Sequence, residues 1–347
     1  MSSTATAALH RVRASSLIDA IGLLLLALLA IWLIVKFFDD PTRFLSVSVI
    51  GLTVGATYGL VALGYTLVYG ILQLINFAHG DVFCLSGLVA STLIISVLGL
   101  DESSSPLVIV GGLLLVLAIT MPGFALLNAT IERVAYKPLR NAPRLAPLIT
   151  AVGVSFIVQN VSLALYGPSY HNVPDFIPRT DAIEIGGVAI QWNKLAVFAV
   201  VIPLLVVLTW FVRSTRQGKS MRAVAQDPDA ASMLGIDVNR TISVTFMLAG
   251  ALAAAAGLVY LLQFNMRYDT GFELGLIAFT AAVLGGIGNL PGAVLGALLI
   301  GLVQAYNEGL DGTPGGDWTR TMVFGILIAT LVFRPEGLLG ERTPEGA

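Results

Sequence analysis

Four groups of polar residues could do chemistry in a chain that is otherwise apolar. The densest is Gln73, Asn76, His79 and Asp81, which fall within nine positions. Polar groups inside apolar spans are expensive and face the protein interior or a pathway. This set could line a route, relay protons through His79 and Asp81, or fix a sharp bend; Gly80 among them favours the bend. A second pair, Gln159 and Asn160, could join neighbouring helices or meet a solute, and the helix-joining role needs fewer assumptions. Tyr58, Tyr65, Thr53 and Thr57 share a glycine-rich stretch, and with Gly55 they make that stretch the first candidate for lining a path. The fourth group is the polar stretch Arg213 to Arg240, which carries five bases: Arg213, Arg216, Lys219, Arg222 and Arg240. Inside it, Asp229 to Gly235 reads as a short helix. The acid at its start suits the positive helix end and the glycine suits a C-cap. A solvated connector would account for the bases alone. The small pair Ala230-Ala231 and the apolar Met233, Leu234 and Ile236 point instead to a partner groove.

Several chemistries are absent. No G-x-x-x-x-G-K-[ST] phosphate loop, no H-E-x-x-H and no G-x-S-x-G occurs. The three histidines, His10, His79 and His171, lie far apart in sequence. Cys84 is the single cysteine, so neither an internal disulfide nor a cysteine metal cluster can form. These features predict no catalytic set and no cofactor bound by this chain. If ATP drives transport, another subunit hydrolyses it.

The elements that position these residues follow from composition. The chain is 56% hydrophobic and only 12% charged, with a mean hydropathy of +0.87. A soluble chain carries about 25% charged residues. Spans of roughly 20 apolar residues are expected at 17–35, 45–70, 82–100, 106–131, 145–166, 195–212, 241–262, 272–287, 292–308 and 318–333. The prediction is an all-α polytopic membrane protein of about ten transmembrane or re-entrant helices. Glycines and Pro291 interrupt 272–308, which could be two short helices or one broken, partly re-entrant one. Arg11 and Arg13 precede the first span as in a signal peptide. Lys36 to Pro41 follow it without a small-residue cleavage site, so it reads as retained.

Basic residues set the orientation. With the N-terminus inside, one side collects Arg11, Arg13, Arg133, Lys137, Arg140, Arg144, the five bases of 213–240, Arg334 and Arg342. The other collects Lys36, Arg43, Arg179, Lys194, Arg267 and Arg320, so 13 of the 19 bases lie inside. The expectation is N-in and C-in. The longest outside loop, about 167–194, is too short for a domain and could cap the outer mouth or simply connect. Gly51, Gly55, Gly59 and Gly64 share their spacing with Gly288, Gly292, Gly296 and Gly301. That echo is either an inverted repeat or the small-residue spacing that lets membrane helices pack closely, and close packing is favoured.

Four stretches carry a family resemblance. They are Gly64-Tyr65-Thr66-Leu67-Val68-Tyr69-Gly70 running on to Ile75-Asn76-Phe77-Ala78-His79-Gly80-Asp81; Glu132-Arg133-Val134-Ala135-Tyr136-Lys137-Pro138-Leu139-Arg140; Met221-Arg222-Ala223-Val224-Ala225-Gln226-Asp227 with Leu234-Gly235-Ile236; and Val283 to Asn289 with Pro291-Gly292-Ala293. Through them the chain, over about 45–335, resembles the permease subunits of branched-chain amino acid ABC transporters of the LivH type. Urea and amide permeases are near relatives of that family. Asp229-Ala230-Ala231-Ser232-Met233-Leu234-Gly235 is similar to the E-A-A-x-x-x-G coupling motif of importers, with Asp for Glu and without the usual Leu-Pro ending. The resemblance implies that Asp229, Ala230, Ala231 and Gly235, with Arg222 beside them, dock in a cytoplasmic ATPase. It implies two such ATPases using ATP and Mg, a second related permease, an extracytoplasmic solute-binding protein, the lipid bilayer, and no nucleic acid. The chain would divide into a tail with first span at 1–44, a permease domain at 45–335 with the coupling loop 213–240, and a cytoplasmic tail at 336–347. Gly55, Tyr58, Asn76 and Gln159 are the candidate pathway residues of a bacterial inner-membrane importer working by alternating access. An ion-coupled secondary transporter would need a polar cluster at mid-membrane, and a scaffold would move no solute.

Overall fold

The computed structural model describes residues 22, 24, 27–140, 142–143, 145–177 and 180–340. Residues 17–21, 23, 25 and 26 of the candidate span 17–35, the tail bases Arg11 and Arg13, and Arg144, Arg179 and Arg342 lie outside that set. The chain is helical over 27–39 (α1). Asp40 then breaks it, its carboxylate accepting from Arg43 N at 2.9 Å, and Pro41 opens α2, Pro41–Leu72. Proline is suited to this first position because its missing N–H had no helical partner to lose.

α2 is the spine of the molecule. Its 32 residues extend about 48 Å, well beyond a hydrocarbon core of about 30 Å. Almost every position from Gly51 to Val68 is buried, as expected of a helix apolar on all sides. At Gln73 the backbone turns left-handed (φ 51°) and the elbow 73–77 reverses the chain. α3 is Ala78–Thr92, prolonged by a π turn at Leu93–Val97. α4, Pro106–Ile131, ends in a π turn, Glu132–Tyr136, and α5 is Leu145–Tyr166. A small hairpin follows, β1 (Asp181–Ile185) pairing antiparallel with β2 (Val188–Gln191). The remaining helices are α6 Trp192–Ser214, α7 Arg216–Gln226, α8 Pro228–Met233, α9 Val238–Leu261, α10 Thr270–Gly285, α11 Leu290–Gly309 and α12 Thr319–Phe333.

Eight of the described helices are long and apolar enough to cross a membrane, and α10 is a shorter apolar one. The interrupted region 272–308 resolves into α10 and α11, two helices joined by the turn 286–289, so the broken single helix is not what forms. α10, at 16 residues, reaches only about 24 Å. The helices sort into an inner and an outer set. The apolar windows of α2, α3 and α9 are 61%, 67% and 72% buried, whereas those of α4, α5 and α6 are 22% and that of α12 is 17%. The outer set presents its apolar surface outward, as lipid-facing helices do.

The glycine echo has a packing role. α2 and α11 lie against each other and run in opposite directions: Val47 meets Gly309, Gly55 meets Leu298, and Gly70 meets Gly288. A Cβ added at Gly55 would lie 2.7 Å from Leu298 Cα and 2.8 Å from the Ala297 carbonyl oxygen. Only a bare backbone allows helices this close.

The connections gather at two ends. One holds the hairpin, the loop before it and the segment 262–269; the bridge His171–Met266 joins that loop to that segment, and Gly187 rests near Thr42. The other holds α7, α8, the elbow 73–77, the segment 132–140 and the C-terminal residues 334–340. There Leu338 N and Leu339 N donate to the carbonyls of Leu284 and Gly285 at 2.8 and 3.0 Å.

Candidate functional site: a projecting helix and an opposed cavity

Between α6 and α9 each helix start is capped by its own side chain. Thr215 Oγ1 accepts from Gly218 N at 3.0 Å to start α7. Asp227 Oδ1 accepts from Asp229 N and Ala230 N, both at 2.9 Å, to start α8. Asp237 Oδ1 accepts from Arg240 N at 2.9 Å to start α9. The N-cap of α8 is therefore Asp227. Asp229 sits one position inside, where its charge still suits the helix N-terminus. The Asp227-Pro228 pair carried that signal, since a capping acid followed by proline at the first helical position marks a start. At the far end Gly235 has φ +82°, and Ile236 N donates back to the Ala231 carbonyl at 3.1 Å. This closes α8 as the C-cap expectation required.

α7 is held down and α8 stands out. Gly218, Met221 and Val224 of α7 are buried, and the Arg222 guanidinium donates to the carbonyl of Val212 and, at 3.4 Å, to that of Arg213. Those are terminal carbonyls of α6, where a cation also meets the negative helix end. Arg222 thus fastens α7 to α6 and does not reach α8. On α8 only Ala231 turns inward, at 2% exposure, while Asp229 and Ala230 are exposed. Met233 is 87% and Leu234 81% exposed. Two adjacent apolar side chains are thus exposed next to the polar Asp229 and Ser232.

At the opposite end lies a cavity of about 570 Å³. Tyr58 and Gln304 line it, the phenol donating to Gln304 Oε1 at 2.8 Å, along with Tyr260 and Glu308. Two ion pairs stand at it: Arg320 with Glu273 at 2.5 and 2.7 Å, and Arg267 with Asp269 at 2.6 Å through each of two nitrogens. The side-chain hydrogen bonds to Asp269 raise the Arg267 pKa above its ordinary value. Sequence reasoning picked out Tyr58 alone of these. Gln304 and Glu308 sit on α11, more than 240 positions away, with no local pattern to announce them.

The four pathway candidates occupy four different surroundings. Tyr58 lines the cavity. Gly55 is used up in the α2–α11 contact. Asn76 sits in the elbow 73–77 at the α8 end, where its Oδ1 accepts from Tyr136 O–H at 2.6 Å. Gln159 donates to Asp81 Oδ1 at 3.1 Å, and Ser155 Oγ donates to Asp81 Oδ2 at 2.5 Å. Asp81, only 1% exposed, therefore joins α3 to α5. His79 is fully buried against Gly64, with its ring edge-on to Tyr65 at 4.9 Å. No hydrogen bond links its ring to Asp81, as a relay would require. The left-handed Gln73 and the reversal that follows make this region a bend. Among the described residues no group of His, Cys, Asp or Glu could hold a metal ion.

Membrane-length helices around a buried spine, with a polar cavity at one end and a capped projecting helix at the other, form the architecture of a multi-pass membrane transport protein. The family described as "Branched-chain amino acid transport system / permease component" matches residues 47–331. The high-affinity branched-chain amino acid transport system permease protein BraD of Pseudomonas aeruginosa is 39% identical over 304 residues, covering 86% of this chain and 96% of BraD. The corresponding LivH proteins of Salmonella typhimurium and Escherichia coli K12 are 37% and 36% identical over 298 residues, each covering 84% of this chain and 93% of LivH. The chain belongs to this permease family and is a multi-pass protein of the bacterial inner membrane.

Proposed function

We propose that the chain is the transmembrane subunit of an ATP-driven importer that carries branched-chain amino acids inward by alternating access. Both termini face the cytoplasm, so α8 projects into it and the cavity beside Tyr58 opens outward. This chain binds no nucleotide; two cytoplasmic ATPases use ATP and Mg and grip α8. A second, related permease completes the membrane unit, and an extracytoplasmic binding protein delivers leucine, isoleucine or valine to the cavity. The observation that carries this reading is α8 itself: capped at both ends, it holds Met233 and Leu234 in water, where a partner groove would cover them.

Gly235→Trp tests it. At φ +82° a bulky residue is strained by about 1–2 kcal/mol, which should reshape the end of α8 without touching the buried bundle. The expected result in reconstituted vesicles is normal insertion and continued ATP hydrolysis with leucine uptake lost. Normal uptake by this variant would refute coupling through α8.

A further inference from the structure

Glu132 is a carboxylate with no exposure, and both of its oxygens are engaged. Oε1 receives the Arg140 guanidinium, and Oε2 accepts from Ser243 Oγ at 2.6 Å. The other terminal nitrogen of Arg140 donates to Asn239 Oδ1 at 2.6 Å. Asn239 and Ser243 are four apart on α9, hence on one face of its first two turns. That start of α9 follows α8 after only Leu234 to Asp237. The π turn that presents Glu132 also presents Tyr136, whose hydroxyl reaches Asn76 in the elbow between α2 and α3.

We propose that this chain of contacts transmits the motion of α8 into the bundle, with Glu132 as its junction. It rests on the coupling role proposed for α8. A displaced α8 pulls first on the start of α9. Asn239 and Ser243 pass that pull to the Arg140–Glu132 pair, and Tyr136 passes it to Asn76 at the point where the spine helix reverses. Burial of an ion pair contributes little net stability, because desolvation offsets the attraction, but it admits few geometries. An apolar contact at this place could slip; a carboxylate with each oxygen committed cannot move relative to α9 without breaking a bond. Two donors in the chain, Arg140 Nε and Asn76 Nδ2, are buried without a partner, so a shifted arrangement has bonds to gain. Glu132 and Tyr136 are positioning residues in this account, since neither lines the cavity.

The test uses the full complex of both permeases, ATPases and binding protein in vesicles. It reads the ratio of leucine taken up to ATP hydrolysed. A role confined to stability would lower both quantities together and leave the ratio alone. Glu132→Gln should lower it by roughly tenfold, within the usual range of coupling energies. Tyr136→Phe keeps the ring and removes only the bond to Asn76; it should lower the ratio by roughly threefold, about the effect of one lost hydrogen bond. The pair of substitutions should do no more than Glu132→Gln alone, because both interrupt one series of contacts. Should Glu132→Gln fail to assemble, Tyr136→Phe and Ser243→Ala decide the matter. Wild-type ratios in assembled variants, or a double variant equal to the product of the singles, would overturn the proposal. In the same vesicles, normal uptake by Gly235→Trp would sink the α8 reading itself. Lost uptake there beside unchanged ratios here would sink only the Glu132 junction.

Discussion

Replacing Met233 and Leu234 together by alanine probes the docking surface with the least disturbance to the fold. At 87% and 81% exposure these side chains contribute almost nothing to the folded subunit. Exposed substitutions of this kind shift stability by no more than about 0.5 kcal/mol, and alanine is the best helix former. Their value lies in the complex. Covering a Met or Leu side chain is worth about 1.5–3 kcal/mol, so the pair stands to lose about 3–6 kcal/mol on docking, less what the remaining Cβ atoms retain. Binding energies at one site are not additive, and ordering the side chains consumes part of the gain. A net loss of about 3 kcal/mol, or roughly 150-fold in Kd, is the expected size.

The measurement is the affinity of the detergent-solubilised permease for the purified ATPase subunits, with thermal unfolding of the permease alone as control. Unchanged unfolding with a Kd raised by roughly two orders of magnitude supports docking through α8. A double variant whose Kd stays within about threefold of wild type, a change of under 1 kcal/mol, would refute it. The surface exposed on α8 would then be a solvated connector after all.

Gly55→Leu should separate α2 from α11, because even its Cβ would stand 2.7 Å from the Leu298 backbone. Overpacking of this kind costs about 1–3 kcal/mol or more, readable as a lowered Tm in detergent, and an unchanged Tm would remove Gly55 from that contact. Ser220→Cys reports orientation. The one native cysteine, Cys84, is buried, so background labelling is low. A membrane-impermeant thiol reagent should modify the introduced cysteine only in inside-out vesicles, and labelling in intact cells would reverse the assigned topology.

Much of the architecture was legible because membrane helices are long and apolar for reasons local to each segment. α8 was legible too, since caps and a terminal glycine are local signals. The hairpin was overlooked, although Ile183, Ile185, Val188 and Ile190 alternate around Gly186-Gly187, the pattern of paired strands and a tight turn. Pro168, Pro174 and Pro178, which precede it, make the segment look like plain loop. Small residues misled in another way: Gly55 suits either a path or a close crossing, and only the position of Leu298 decides between them. Asp81 is near the start of its helix, as its place in the sequence suggests, yet the side chain is buried because Ser155 and Gln159 come from α5 to meet it. The cavity was out of reach for the same reason, since Tyr58 and Gln304 meet only when α2 and α11 pack.

The two ends of the molecule are joined by α9, which bears on how a push at α8 would reach the cavity. Its 24 residues span about 36 Å, with Asn239 and Ser243 at one end and the cavity residue Tyr260 at the other. Between them α9 is held at Phe246, whose carbonyl accepts from Asn128 Nδ2 at 2.7 Å, and at Gly250, which lies against the Phe124 carbonyl of α4. The stretch beyond, Ala253 to Ala256, is fully buried and made only of alanine, and there α9 is held to α3: the Ala253 carbonyl accepts from Ser86 Oγ at 3.2 Å, and Gly257 lies against Ser86 and Gly87. This hold, centred near residue 251, leaves arms of about 18 Å toward Asn239 and about 14 Å toward Tyr260. In the proposed importer a tilt about that hold would move the two ends in opposite senses. Closing at the α8 end would then accompany opening at the cavity, and a single rigid helix would supply the reciprocity that alternating access requires.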